Sequence, residues 1–486
     1  MDTALHNHPE TDWPHYAAAR RAADILNSAG FEAYIIGGAV RDILLGRTPK
    51  DFDLATNARP EDILACPEFV RSHYKDTAQA YGVTRVYVSV PKADSSSTHE
   101  IELEIATYRQ DIEAHLGRTQ TKIAFASLID DLQRRDFTIN ALALDPISDQ
   151  VVDQTGGIED LGRKVVRFIG DPEQRIQEDP LRILRGIRLK VQLDFSFDPQ
   201  TETALQTAIA HGKLADIAVD RVKFELSRLL MHPSRRQAIE ELDRLGGLEQ
   251  LLPELSATKA VPQPDNLHAE GDVFTHSLLS IGYLPDIVSP RLAWATLLHD
   301  IGKVPSYRSQ SETGDRIRFD DHHRLGAELA RTVLERLRFS TSFQSEVAWM
   351  IHYHLAIDEL PQMRPRRAEN FMHHSAFADL LELHRADAHA AWSKTASGVI
   401  DDGPGDFSRL ERLWQEFQRQ RKTHPPSLKD DLGIDGKWLQ QQFDLSPGPL
   451  LGEVLMALED AYLNHEIDNA EEAHKFATTW LQQSNP

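Results

Sequence analysis

The stretch GGAVRDILLGRTPKDFDLAT, residues 37–56, constrains this chain more than any other. The apolar run Ala33 to Ile36 leads into two glycines, so a buried strand ends in a tight turn. Gly37 and Gly38 carry no Cβ, and their backbone N–H groups can approach a ligand closely. Ala39 to Leu45 has helix-forming composition. A helix start offers unpaired N–H donors and the positive end of a dipole, which suits phosphate. Arg41, in that first turn, can add a charge-assisted fork. Asp51 and Asp53 flank Phe52, and on a strand over Phe52 to Ala55 both carboxylates share one face. Side-by-side carboxylates repel unless a cation lies between them. Mg²⁺ is the natural choice, being hard, oxygen-liking and commonly shared with phosphates. A Gly-Gly turn with a D-x-D strand is the minimal apparatus for moving a nucleotidyl group, with bound metal activating a hydroxyl and neutralising a triphosphate.

The same run resembles the first signature of class II tRNA nucleotidyltransferases, the CCA-adding enzymes, and of the related bacterial poly(A) polymerases. The chain's 486 residues allow about three domains of ~150 residues. No 18-residue apolar run is present, so no membrane span is expected. The N-terminus MDTALHNHPETDWPHY is polar and acidic, unlike a signal peptide. A single cysteine, Cys66, excludes an internal disulfide framework and points to the reducing cytoplasm. The net charge of −22 argues against a nucleic-acid partner. However, residues 163–190 concentrate Arg163, Lys164, Arg167, Arg175, Arg182, Arg185, Arg188 and Lys190. That stripe can contact RNA or pair internally with acids.

Taken in order, residues 15–29 read as a helix ended by Gly30, and Pro60 to Leu64 as a short helix. Val83 to Val90 and Glu100 to Thr107 alternate as strands do. Glu100, Glu102 and Glu104 fall on one face. The resemblance implies Glu104 as a third carboxylate of the metal site, since the family has a Glu just before its Thr-Phe/Tyr-Arg. Residues 110–122 are polar and without periodicity. The family has a flexible loop here, and its basic Gly-Arg-Arg-Pro segment is replaced by Leu116-Gly117-Arg118-Thr119. RRDFTINALALD, residues 134–145, resembles the second signature. It offers Arg135 to triphosphate and Asn140 to ribose or phosphate, with Asp136 to orient one of these groups. DQTGGIEDL, residues 153–161, resembles the next, and Gly156 and Gly157 suit a hinge or an ordinary turn.

EDPLRILRGIR, residues 178–188, reads as a helix that puts Asp179 and Arg182 on one face. Asp179 can accept from the amino group of cytosine or adenine, and Arg182 can donate to the adjacent ring nitrogen. The resemblance assigns base selection to this pair, so that protein rather than a template chooses the nucleotide. Arg185 and Arg188, about a turn further on, can hold phosphates. The alternative for the whole string is an intrahelical salt-bridge ladder. VDRVKFELSRLL, residues 219–230, resembles the fifth signature and should close a helical neck.

Beyond residue 231 the pattern is helical, interrupted by a linker, VPQPDN, at 261–266. A second constellation follows. His276 lies in a helical run, LLHDIGK supplies His299 and Asp300, and LLELHRADAHA supplies Asp387. This order resembles the HD phosphohydrolase superfamily, whose ligands are His, His-Asp and Asp. Imidazoles mixed with carboxylates suit a divalent ion such as Ni²⁺, Co²⁺, Mn²⁺ or Mg²⁺, and His322 and His354 can support a second one. His323, His352 and His384 read as packing residues. SGVIDDGPGDF, residues 397–407, reads as a flexible break, and the tail from Ser427 resembles the C-terminal helices of HD-containing CCA-adding enzymes.

The expected architecture is an α/β nucleotidyltransferase head with a mixed sheet, followed by all-α neck, body, HD and tail domains. The expected limits are 1–160 for the head, 161–265 for neck and body, 266–396 for the HD domain and 397–486 for the tail. The resemblance implies Mg-dependent addition of CCA to tRNA from CTP and ATP, with HD-domain phosphohydrolysis of RNA 3′ phosphates. The rivals are poly(A) polymerase, a CC-only or A-only enzyme, and an HD phosphohydrolase with a degenerate head.

Overall fold

The computed structural model describes residues 14–71, 82–91, 98–113, 122–264, 268–314, 316–394, 400–401, 407–423, 428–443, 445–446, 448–463 and 466–484. The chain divides into two compact units, Met1–Leu226 with Glu241–Leu251, and Ser227–Glu240 with Leu252–Pro486.

The first unit opens with α1 (Pro14–Ser28), whose Ala18, Ala19, Ala22, Ala23 and Leu26 form one buried face at helical spacing. Next come β1 (Ala33–Ile36), α2 (Gly38–Leu44), β2 (Asp53–Thr56), α3 (Pro60–Ala65), β3 (Val70–Arg71), β4 (Val83–Pro91) and β5 (Thr98–Thr107). After β6 (Arg109–Glu113), β7 (Lys122–Phe125) and α4 (Leu128–Gln133), the strands β8 (Leu142–Asp145) and β9 (Gln150–Asp153) complete the set. Seven strands form one sheet in the order β3-β4-β5-β2-β1-β8-β9. β2 and β5 run parallel while β1 pairs antiparallel with β2 and β8, so the sheet is mixed, as expected.

Residues 110–122 are not without structure throughout, because β6 and β7 pair antiparallel. β6 is polar, and β7, Lys122 to Phe125, is a four-residue run too short to show alternation, which is why periodicity missed them. Leu116 to Thr119 lie outside the described residues.

Gly156 and Gly157 are fixed in place. Gly156 has φ +80°, and a Cβ on Gly157 would overlap the Thr138 carbonyl oxygen. The Asp153 carboxylate accepts from the backbone N–H groups of Thr155, Gly156, Gly157 and Ile158 at 2.8 to 3.0 Å. The pair is thus a packed cap on α5 (Gly157–Arg163) rather than a hinge.

The helix expected across 178–188 is two helices, α6 (Pro172–Glu178) and α7 (Arg182–Leu193). Pro180 lacks an N–H and biases its predecessor to extended backbone, and Asp179 has φ −149° and ψ 99°.

The second unit is helical. Val273–Tyr283, Pro290–Leu298, His322–Arg336, Thr341–Tyr353 and Phe377–Ala390 pack together around fully buried residues including Trp294, Val347 and Leu380. Leu428–Leu432, Gly436–Phe443, Pro449–Leu463 and Ala470–Ser484 share their own core of Leu439, Val454, Leu458 and Ala473. The break expected at 397–407 lies mostly outside the described residues. Among the described residues, no helix is long and apolar enough to cross a membrane.

Candidate functional site

In the head, Phe52 is 3% exposed while Asp51 and Asp53 reach solvent, so the D-x-D alternation is real. Leu54 pairs with Ile105 across the parallel strands, which sets Asp53 beside Glu104 one step upstream. Burial, then the Asp51 and Glu104 carboxylates, push the Asp53 carboxyl up to about 6, against the pull of Arg135. This concentration of negative charge fits a divalent cation, for which Asp51 and Asp53 are the candidate ligands. Glu104 is engaged otherwise. Its Oε1 accepts from Arg85 Nε at 2.8 Å, so it adds charge beside Asp53 while paired on the neighbouring strand.

Gly37 has φ +74°, and a Cβ there would press on Arg135 Nη1 at 3.3 Å. Glycine thereby admits the guanidinium to the turn. Arg135 Nη2 donates to Asp131 at 3.1 Å, while its buried Nε has no protein partner. Arg41 Nη1 donates to Asn140 Oδ1 at 2.7 Å and its Nε to Asp42 at 2.8 Å. Gly37, Arg135, Arg41 and Asn140 therefore form one cluster. Asp131, which sequence reasoning missed, anchors it: 1% exposed, it also takes two bonds from Arg134, at 3.0 and 2.7 Å. Burial pushes its carboxyl upward, but Arg135 and Arg134 hold it below the usual carboxylate range.

The base-selecting pair is placed differently from expectation. Asp179, outside the helix that starts at Arg182, does not share a helical face with it. Both Asp179 oxygens accept from Arg221, at 3.0 and 2.7 Å. Arg182 Nη1 donates to Glu178 at 2.6 Å and to the Arg175 carbonyl at 2.7 Å. Arg185 bonds to Asp136 at 2.7 Å, so Asp136 orients an arginine. Arg188, 9% exposed, bonds to buried Glu225 at 2.8 Å, a packing role rather than an open phosphate contact. The basic stripe is largely self-neutralised, since Arg163, Arg167, Arg175 and Lys190 also carry acid partners. The internal ion-pair reading of that stripe is the one the structure favours. Its acids Asp136, Glu225 and Glu241 lie far along the chain, which hid them from local inspection.

The second unit gathers the other set. His276 Nε2 lies 2.8 Å from Asp387 and 3.8 Å from Asp300, and His299 Nε2 lies 3.4 Å from Asp300 and 3.5 Å from Asp387. Ligand atoms of His276, His299 and Asp300 all fall within 4.8 Å of one another, as do those of Asp300, His322 and His354. Asp300 thus belongs to both groups. Nδ1 of His299, His322 and His354 meets the carbonyls of Thr296, Phe319 and Ile351 at 2.8, 2.9 and 2.6 Å. A carbonyl only accepts, so each Nδ1 carries a proton, and Nε2 is the nitrogen whose lone pair becomes available in the neutral imidazole. His299 Nε2 is buried without a hydrogen-bond partner. Burial alone would depress His299, yet Asp300 and Asp387 raise it to about 10. A proton held that firmly marks a place where a cation is favoured, and the donor set fits a divalent metal.

Three neighbours of this centre are brought in by the fold and bear no motif of their own. Lys303 bonds to Asp300 at 2.7 Å, Gln263 of the expected linker bonds to Lys303 at 2.7 Å, and Glu270 lies 2.9 Å from His276 Nδ1. His323 and His352 pack against each other at 5.4 Å, and His384 lies 3.2 Å from Asp358, in keeping with packing roles.

A mixed sheet whose second strand opens on paired aspartates beside an arginine-lined Gly-Gly turn defines a nucleotidyltransferase head, here followed by a helical cluster of candidate metal ligands. Family models agree in order: a poly A polymerase head domain over residues 33–167, a probable RNA and SrmB-binding site of polymerase A over 194–259, and an HD domain over 273–380. The chain is 32% identical to an A-adding tRNA nucleotidyltransferase of Deinococcus radiodurans over 93% of its own length and 96% of the relative's. It is 28% identical to a CCA-adding enzyme of Geobacillus stearothermophilus over 95% of each chain. The crystal structure of Bacillus stearothermophilus CCA-adding enzyme in complex with CTP shares the fold, with TM-score 0.55 and 24% identity over 97% of this chain and 99% of that one. The chain belongs to the tRNA nucleotidyltransferase family.

Proposed function

We propose that the protein adds the terminal C, C and A of tRNA, from CTP and ATP, without a nucleic-acid template. The observation that carries this reading is the convergence on Asp53 of Asp51, Glu104 and Arg135, with Arg135 against Gly37. Asp51 and Asp53 would hold Mg²⁺, which when bound activates the RNA 3′-hydroxyl and neutralises the triphosphate. The Gly37 N–H is taken by the Leu142 carbonyl at 3.1 Å, so the Gly38 end of the turn and the Arg135 guanidinium are left to receive phosphate oxygens. Arg41 fixes Asn140 for ribose or phosphate, and Arg185, held by Asp136, adds positive charge. The hydroxyl attacks the α-phosphate in line and pyrophosphate leaves. Asp179 accepts from the base amino group and Arg182 donates to the ring nitrogen, which requires Arg182 to release Glu178. The resemblance to an A-adding relative favours one second reading, addition of A alone. The cytoplasm, where tRNA matures, is the proposed location. The head, neck and body, HD and tail limits at 160, 265 and 396 are kept as the functional division.

For the second unit we propose hydrolysis of terminal or 2′,3′-cyclic phosphates on RNA ends, because the head must start from a free 3′-hydroxyl. His276, His299, Asp300 and Asp387 would hold one ion and Asp300, His322 and His354 a second. The ions are Ni²⁺, Co²⁺, Mn²⁺ or Mg²⁺, which when bound polarise phosphate and supply hydroxide.

The test is incorporation of labelled CTP and ATP into a tRNA transcript lacking CCA, in Mg²⁺. Asp51→Ala and Asp53→Ala should abolish it. Substantial activity in either variant removes that residue from the metal site.

A further inference from the structure

We propose that Glu270 is the positioning residue of the second metal centre, fixing His276 as a ligand and tying it to the segment that follows Asp387. This inference rests on reading that centre as a metal site. The Glu270 side chain has no exposed surface. Its Oε1 lies 2.9 Å from His276 Nδ1 and 2.7 Å from His268 Nδ1, and its Oε2 accepts from the Trp392 backbone N–H at 2.9 Å. The Ala269 N–H donates in turn to the Trp392 carbonyl at 2.6 Å. Trp392 stands just beyond the helix Phe377–Ala390 that carries Asp387, and His276 stands on Val273–Tyr283. One buried carboxylate therefore couples two ligand-bearing helices.

The chemistry separates His276 from the other imidazoles. Without metal, both ring nitrogens of His276 donate to carboxylates, Nδ1 to Glu270 and Nε2 to Asp387 at 2.8 Å. With Nδ1–H held by Glu270, Nε2 is the nitrogen that would give up its proton and turn its lone pair to a metal. His299, His322 and His354 are oriented by neutral backbone carbonyls. His276 is oriented by a charge, which makes its imidazole the more basic ligand. His268 occupies the other side of Oε1 and holds the carboxylate in place.

Metal-stripped, full-length protein carrying Asp51→Ala and Asp53→Ala, so that the head carboxylates do not take the ion, is titrated with Co²⁺. Affinity is read by calorimetry and ligand geometry by the visible cobalt spectrum. Glu270→Gln, which keeps the shape and loses the charge, should weaken Co²⁺ binding roughly 10- to 100-fold and alter the spectrum. Glu270→Asp should recover part of the affinity, and His276→Ala marks the loss of a true ligand. Metal-free melting and circular dichroism identify a variant that has merely unfolded, in which case Glu270→Asp alone decides. Affinity and spectrum unchanged in the folded Glu270 variants overturn the positioning role. Absence of Co²⁺ uptake by the Glu270-containing parent overturns the metal-centre reading itself, and the proposal with it.

Discussion

The Asp179 carboxylate sits in the fork of the Arg221 guanidinium, 42 positions along the chain, through bonds of 3.0 and 2.7 Å. A two-bond fork fixes a carboxylate in direction as well as in charge. Oδ1 also accepts from the Leu181 N–H at 3.2 Å, so Oδ2 is the oxygen with spare acceptor capacity. An oxygen locked as an acceptor favours the amino groups of cytosine and adenine and repels the carbonyl of uracil. Asp179→Ala should therefore relax discrimination between CTP, ATP and UTP more than it slows transfer. The expected loss is ~1–3 kcal/mol, roughly 5- to 150-fold in the ratio of kcat/KM values. Arg221→Ala should move the same ratio in the same direction by freeing the carboxylate to rotate. Wild-type selectivity in both variants would reduce the pair to a structural tie.

Asp53 links the head's function to its stability. Its carboxyl is raised to about 6 by burial, Asp51 and Glu104, well above the ordinary range near 3.8. A raised carboxyl means that the metal-free fold loses stability as pH rises through about 4 to 6, because the folded state gives up its proton later than the unfolded one. Asp53→Asn should raise the melting temperature of the metal-free protein at pH 7.5, by about half as much at pH 5, and by little below pH 4. It should also abolish stabilisation by Mg²⁺. A variant less stable than wild type at pH 7.5 would contradict the crowding of carboxylates described above.

Gly302 permits the approach of two segments in the second centre. A Cβ there would overlap the His322 carbonyl oxygen and the Gly326 backbone nitrogen, and Gly326 in turn lies against the His299 carbonyl. Gly302→Ala should destabilise the second unit by ~1–3 kcal/mol or more, since backbone rather than a flexible side chain must yield. Co²⁺ affinity should fall with it as His322 is displaced. Thermal melting and metal titration together check this, and unchanged values would mean that the His322–Arg336 helix can retreat at no cost.

Asp300→Asn should eliminate phosphate release from RNA ends while nucleotide addition survives. The same change leaves Lys303, 7% exposed and 2.7 Å from Asp300, without its charged partner. Loss of one member of a buried pair costs ~3–5 kcal/mol, so reduced stability should accompany the lost activity. Measuring both activities and the melting curve on one preparation separates the two effects. Phosphate release at the wild-type rate would show that Asp300 is not a ligand.

Local periodicity made the head readable. The apolar run before Gly37, the alternation about Phe52 and the strands around Val86 and Leu103 needed no distant partner, and all are present. The break at Asp179 was also written in the sequence, in Pro180, but the helix-like spacing of Asp179 and Arg182 obscured it. Arg221 and Glu270 are hidden for another reason: each meets a group contributed by a different element, as when Arg221 meets Asp179 or Glu270 meets the Trp392 backbone N–H, and spacing along one helix or strand carries no trace of such meetings. Asp131 differs, since it pairs with Arg134 and Arg135 at i+3 and i+4, a local spacing that the sequence does carry. β6 is polar and β7 is a four-residue run, so neither carries the alternation that marks a half-buried strand.

The most direct test offers the purified protein three tRNA transcripts, ending before CCA, before CA and before A, with CTP, ATP, UTP or GTP singly and in the CTP–ATP pair, and sequences the products. The account predicts CC from CTP on the first, a single C from CTP on the second, a single A from ATP on the third, and completed CCA with the pair. UTP and GTP should be rejected, and Asp51→Ala should give no product. Addition of A alone to the third transcript, with no C added to the others, would restrict the protein to A addition. Long A tracts from ATP, or no extension of any transcript in Mg²⁺, would contradict the account.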